Sequence, residues 1–205
     1  MTSRLGIVLI FDEVVTGYRL SLGGAQQLLG VTPDMSIIGK AMAAGFPIGA
    51  LTGTREAMDP IVSGKLRHRG TFNGNPISVG ATVACIRYLR KEGGILYPRM
   101  ERQGAELQAF MKAEAKSAGV PLSVSRIGSA LQVYLGTDRV DTLADLRKVD
   151  QEATQNFCGD LLVNGVQLLP RGLMYLSTVL TDADIADTKA AISAAVAEAA
   201  QRAAA

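Results

Sequence analysis

The run Ile7-Val8-Leu9-Ile10-Phe11 constrains this chain more than any other stretch, because five consecutive apolar residues leave no face for water. Three of the five are β-branched, and the run reads as a strand buried on both faces of a parallel sheet. It leads directly into Asp12 and Glu13. In an open α/β sheet, ligands bind in the crevice beyond the carboxyl ends of the strands. A carboxylate there is costly to desolvate unless a cation or a hydrogen-bond donor meets it. The plain alternative is that the two acids open a solvated loop. A second strand-like segment, Met35–Ile38, weighs against that, since it delivers Gly39-Lys40 towards the same edge.

An acid at one strand end and a lysine at another is the arrangement that pyridoxal phosphate chemistry needs. The lysine forms a Schiff base, and the acid keeps the pyridinium nitrogen protonated so that the ring acts as an electron sink. Around these residues the sequence resembles the class III pyridoxal phosphate aminotransferases. Leu9-Ile10-Phe11-Asp12-Glu13-Val14-Val15-Thr16-Gly17-Tyr18-Arg19 is similar to their signature strand. Gly23-Gly24-Ala25-Gln26, Gly30-Val31-Thr32-Pro33-Asp34-Met35, Gly39-Lys40 and Gly45-Phe46-Pro47-Ile48-Gly49-Ala50 follow in the family's order, then Gly70-Thr71-Phe72-Asn73-Gly74-Asn75-Pro76. The likeness is closest to the glutamate-1-semialdehyde 2,1-aminomutase branch. It runs from Gly6 to about Asp184 and corresponds to the later half of the family's usual length, so the expectation is a C-terminal portion of such an enzyme.

The resemblance implies an α/β fold. Residues 1–93 would form part of the large domain of the type I aminotransferase fold, a mostly parallel sheet with helices. Residues 94–205 would form a small α+β C-terminal domain with its connecting helix. Lys40 would carry the cofactor, be displaced by the substrate amine and act as base in a 1,3-proton shift. Asp12 would pair with the pyridine N–H, and Val14 would pack on one face of the ring. Thr71 would reach the cofactor phosphate of the neighbouring subunit of a homodimer. Glu13 matches the motif with an expected role of structural support. The implied partners are a small-molecule amino donor and acceptor. Val15 stands where many class III aminotransferases have glutamine, and an apolar residue there is similar to the aminomutase branch. The family's phosphate loop and ring-stacking aromatic residue belong to its N-terminal half and have no counterpart here. Arg171 is the local candidate for a substrate-carboxylate contact, with a surface-turn arginine as the alternative.

Two readings from other classes compete. A buried strand ending in Asp-Glu also resembles the second motif of P-loop ATPases, but Gly39-Lys40 is followed by alanine and lacks the required upstream glycine. A non-catalytic α/β interaction domain is the other.

Composition narrows the field further. Apolar residues make up 48% and charged residues 20% of the 205, which is ordinary for a globular chain. A formal net charge of +2 without a Lys/Arg block gives no reason to expect nucleic acid. Two dispersed cysteines and one histidine do not make a disulfide framework or a zinc site, and favour a reducing cytosol. No apolar run reaches membrane-spanning length, and the N-terminus lacks a signal-peptide pattern.

Along the chain, residues 25–29 read as a short helix, 48–53 as a strand, and Thr54 as the N-cap of a helix over 55–63. Pro76 opens a helix that the Gly93-Gly94 pair is expected to break, with a second helix over 96–117. Leu122–Ile127 and Ala130–Leu135 read as strands joined at Gly128-Ser129. A helix is expected over 142–162, strands over 166–169 and 173–176, and a capping box at Thr181 and Asp184 before an Ala-rich terminal helix. A sheet with so few strands would leave apolar faces wet, so the 205-residue chain alone is expected to associate and to retain cofactor weakly.

Overall fold

The computed structural model describes residues 2–204, which divide into two compact units meeting in sequence at Tyr97 and Pro98. In the first unit, β1 (Ile10–Glu13), α1 (Gly24–Leu29), β2 (Met35–Ile38), β3 (Ala50–Gly53) and α2 (Arg55–Val62) follow in order. β1 and β2 are parallel, with Asp12 opposite Ile37 and Glu13 opposite Ile38. β3 closes the sheet antiparallel to β2, giving the order β1-β2-β3. Thr54 caps α2 by accepting from the Ala57 N–H at 3.2 Å.

The expectation that the 7–11 run is buried on both faces is corrected. β1 is an edge strand, and the residues around it stay wet: Ile10 is 52% and Ile37 41% exposed. Side chains alternate along a strand, so Ile10, Asp12 and Ile37 share one face of the sheet. Phe11, Glu13, Ser36 and Ile38 share the other.

The predicted helix break at Gly93-Gly94 is also corrected, because α3 runs unbroken over Pro76–Ser117. Two glycines cost roughly 1 kcal/mol each in a helix interior, and buried Leu89, Leu96 and Met100 offset that. Pro98, also inside α3, faces the carbonyl of residue 94 one turn earlier, and that residue is itself glycine.

In the second unit, β4 (Leu122–Ile127) and β5 (Ala130–Leu135) form an antiparallel hairpin, and β6 (Leu173–Tyr175) pairs on the far side of β5. Leu131, Val133 and Leu135 alternate inward from β5 and pack with Phe157 and Leu161 of α5 (Gln151–Val163). Ile192 and Val196 of α6 (Asp182–Ala204) complete that core, joined by Leu107 and Met111 from the end of α3. The Thr181 hydroxyl and N–H both donate to Asp184 at 2.7 Å, and the Asp184 N–H returns a bond to Thr181, which is the expected capping box.

The single helix expected over 142–162 is two: α4 (Leu143–Leu146) precedes α5. The Asp150 N–H donates to the Leu135 carbonyl at 2.9 Å, while the Asp150 carboxylate accepts from Ala153 at 2.9 Å. A residue bound to the sheet edge and capping the next helix cannot continue the previous one. The 166–169 segment is not a strand either. Only Leu169 bridges, to Leu173, across a turn closed by Gly172 at φ +83°.

Candidate active site

The parallel register brings two chemical groups to one end of the sheet. Asp12 lies within β1 beside its carboxyl end, and Lys40 follows the end of β2 by two residues. Both are exposed. The Asp12 carboxylate accepts from the Val14 N–H at 3.0 Å through one oxygen. A carboxylate has four acceptor positions, so most of its capacity remains open.

Lys40 has φ +42°, in the left-handed region, and opens a short 3-10 turn, Lys40–Ala43, that ends on Ala44 at φ +50°. A side chain in that region costs about 1–2 kcal/mol. Met42 and Ala43, 4% and 0% exposed, anchor the turn from below. The Cys85 thiol on α3 meets the Ala41 carbonyl at 3.3 Å, and burial raises the thiol's pKa. Val14 comes close as well: its Cγ1 lies 3.6 Å from where a Cβ on Gly39 would sit. Asp12, Val14 and Lys40 are thus grouped around adjacent strand ends.

Behind the sheet, Glu13 is 1% exposed and its carboxylate is held by four donors. The Thr16 hydroxyl lies at 2.5 Å, the Ala25 N–H at 2.8 Å, the Gln26 N–H at 2.9 Å and the Gln26 side-chain amide at 3.4 Å. Burial alone would raise its pKa, but the hydrogen bonds from Thr16, Ala25 and Gln26 together bring it below the usual carboxylate value. Gly24 has no alternative here, since φ is +68° and a Cβ would fall 2.4 Å from Glu13 Oε2.

The remaining predicted residues lie elsewhere. Thr71 is exposed in the turn between α2 and α3. Arg171 belongs to the second unit, exposed beside a cleft of about 410 Å³ lined by Gln132, Tyr134, Gln155 and Leu173. Sequence reasoning missed the Glu13 donor set and the Cys85 brace. Gly23-Gly24 was the available signal for the first, while nothing in the sequence pairs Cys85 with Ala41. Among the described residues no cluster of metal-ligating side chains occurs, and no helix is long and apolar enough to cross a membrane.

The chain matches the family model described as aminotransferase class III over residues 1–196. Glutamate-1-semialdehyde 2,1-aminomutase 1 of Cenarchaeum symbiosum is 37% identical over 194 residues, covering 93% of this chain and 46% of that protein. The glutamate-1-semialdehyde 2,1-aminomutase of Methanococcus maripaludis is 37% identical over 171 residues, 83% of this chain and 39% of its own. Among solved structures, an omega-transaminase from Sphaerobacter thermophilus superposes with a TM-score of 0.83 at 31% identity, over 98% of this chain and 46% of that one. A transaminase with PLP bound gives a TM-score of 0.85 at 30% identity, over 100% of this chain and 47% of that one. The chain spans less than half the length of each of these proteins. On the family match and the shared fold, this chain belongs to the class III aminotransferases.

Proposed function

We propose that the full-length protein performs pyridoxal phosphate-dependent amino-group transfer, on an amino acid or an amino-aldehyde or keto-acid substrate. The observation that supports this best is the pairing of β1 and β2, which sets Asp12 and Lys40 at adjacent strand ends. The donor set fits the cofactor: one exposed amine, one carboxylate with open acceptor positions, and one β-branched apolar side chain beside them. When bound, pyridoxal phosphate supplies an electron sink for the carbon that bears the amino group.

The chain's own residues do the rest in this reading. Lys40 would hold the resting cofactor covalently through Nζ, and with its amine free it would take and return the proton at the substrate carbon. Asp12 keeps the pyridine nitrogen protonated, and Val14 packs on one ring face and excludes water from it. Thr71 donates to the phosphate of the neighbouring subunit in a homodimer. Residues 1–93 serve as part of the cofactor-binding domain and 94–205 as the small domain. Two free thiols, Cys85 and Cys158, suit a cytosolic setting.

The aminomutase reading, transfer within one substrate, is favoured by Val15 and by the aminomutase relatives. An amino-aldehyde incubated as the sole substrate separates the two by product: an aminomutase returns only the isomer with amine and carbonyl exchanged, whereas transfer between molecules yields a diamine and a dicarbonyl. The broader reading is tested by borohydride reduction of the full-length protein with pyridoxal phosphate, followed by peptide mapping. Label on Lys40 is expected; label on Lys65 or Lys91 instead would overturn it.

A further inference from the structure

We propose that Glu13 is a positioning residue that, from behind the sheet, fixes the two strand ends carrying Asp12 and Lys40. The inference rests on the amino-transfer reading for its functional meaning, and on the following geometry for its substance. Glu13 and Asp12 are consecutive, so their side chains leave opposite faces of β1. Glu13 cannot itself reach what Asp12 faces, yet its burial and four donors make it the most restrained carboxylate near the site.

Two links carry that restraint to β2. The Thr16 hydroxyl bond closes the turn in which the Gly17 N–H donates to the Glu13 carbonyl at 2.9 Å. That turn approaches the last residue of β2 closely, leaving room for no side chain: a Cβ on Gly17 would lie 2.8 Å from the Glu13 carbonyl oxygen and 3.0 Å from Ile38 Cγ2. Ile38 precedes Gly39-Lys40 and is the register partner of Glu13. The second link is Gln26, which donates to the Glu13 carboxylate and also reaches the Ser36 hydroxyl of β2 at 3.5 Å. Ser36 is buried, 4% exposed.

A carboxylate is the group this arrangement requires. Its oxygens only accept, and they face a hydroxyl, two backbone N–H groups and an amide. Glutamine at this position would turn its own NH₂ against one of those donors, leaving a buried group unsatisfied.

The test uses Glu13→Gln in the full-length protein. Without cofactor, amide hydrogen exchange should accelerate roughly tenfold in residues 24–29 and also in 37–43, the segment that carries Lys40. With cofactor, Lys40 should still take the borohydride label, while the pH midpoint of the visible absorbance band moves by about one unit as Asp12 shifts from its place. Acceleration confined to 24–29 would overturn the proposal. So would an unmoved midpoint in a folded, Lys40-labelled variant. If Glu13→Gln does not fold, Gln26→Leu removes one donor and the link to Ser36, and should give both effects in smaller degree. An unlabelled Lys40 in the wild type would refute the amino-transfer reading instead, and the exchange measurement would then decide the brace alone.

Discussion

The Tyr97 hydroxyl donates to the Tyr18 carbonyl at 3.0 Å, joining residues 79 apart in sequence. Tyr18 needs such a hold, since its φ is +56°. Burial pushes the Tyr97 phenol up to about 12 from an ordinary 10.0. Tyr97→Phe should destabilise the protein by about 1 kcal/mol, the usual net worth of such a bond, measured by urea unfolding. The sign with pH follows from the raised value. The buried phenolate is harder to accommodate than the phenol, so stability is unaffected below the unfolded pKa and is lost as pH rises through the folded one. Wild type should therefore lose stability between about pH 10 and 12, and Tyr97→Phe should show less of that loss.

Replacing Asp12 with asparagine in the full-length enzyme should leave cofactor attachment to Lys40 possible. Turnover should fall by roughly two orders of magnitude, the scale of a lost charge partner in an active site. Steady-state kinetics beside the bound-cofactor absorbance tests this. Near-normal turnover with cofactor in place would remove the role assigned to Asp12.

Gly24→Ala combines a left-handed backbone with a Cβ driven into Glu13. The expected cost is about 2–4 kcal/mol. Gly30→Ala is the matched control, since φ there is +63° but nothing lies within 4 Å of the added Cβ. It should cost only the conformational part, about 1–2 kcal/mol. Equal losses in the two variants by thermal or urea unfolding would show that the Glu13 contact contributes nothing.

The sheet face bearing Ile10 and Ile37 is open to water. Apolar surface left wet forfeits about 25 cal/mol for each Å². The purified 205-residue chain should therefore self-associate, and the double variant Ile10→Lys, Ile37→Lys should shift its sedimentation towards a single copy. An unchanged distribution would locate the association elsewhere.

What the sequence made legible follows from how local each signal is. Leu122–Ile127, Ala130–Leu135 and the Thr181 capping box depend on neighbours a few residues away, and they stand where the pattern put them. Gly93-Gly94 misled because a glycine's cost is fixed while the burial of Leu89, Leu96 and Met100, which offsets it, is not written in the local pattern. The 142–162 helix misled because Asp150 answers to Leu135, a partner no helical periodicity contains. At the candidate site, Asp12 and Lys40 could be proposed from two strand ends, and Val14 from the family resemblance. Three of the four donors on Glu13 were less legible, because they come from Ala25 and Gln26 and assemble only once α1 has been folded against β1.

That last contact also orders events in folding. α1 is six residues long, and its N-cap position, Gly23, contributes no side-chain hydrogen bond. A helix this short does not survive by itself in water. Its first-turn N–H groups are met by a carboxylate on another element, more than ten residues earlier in the chain. Helix α1 is therefore a consequence of strand placement, and a peptide spanning residues 20–31 should show no helical circular dichroism. In refolding, substitutions within α1 should alter the unfolding rate and leave the folding rate nearly untouched.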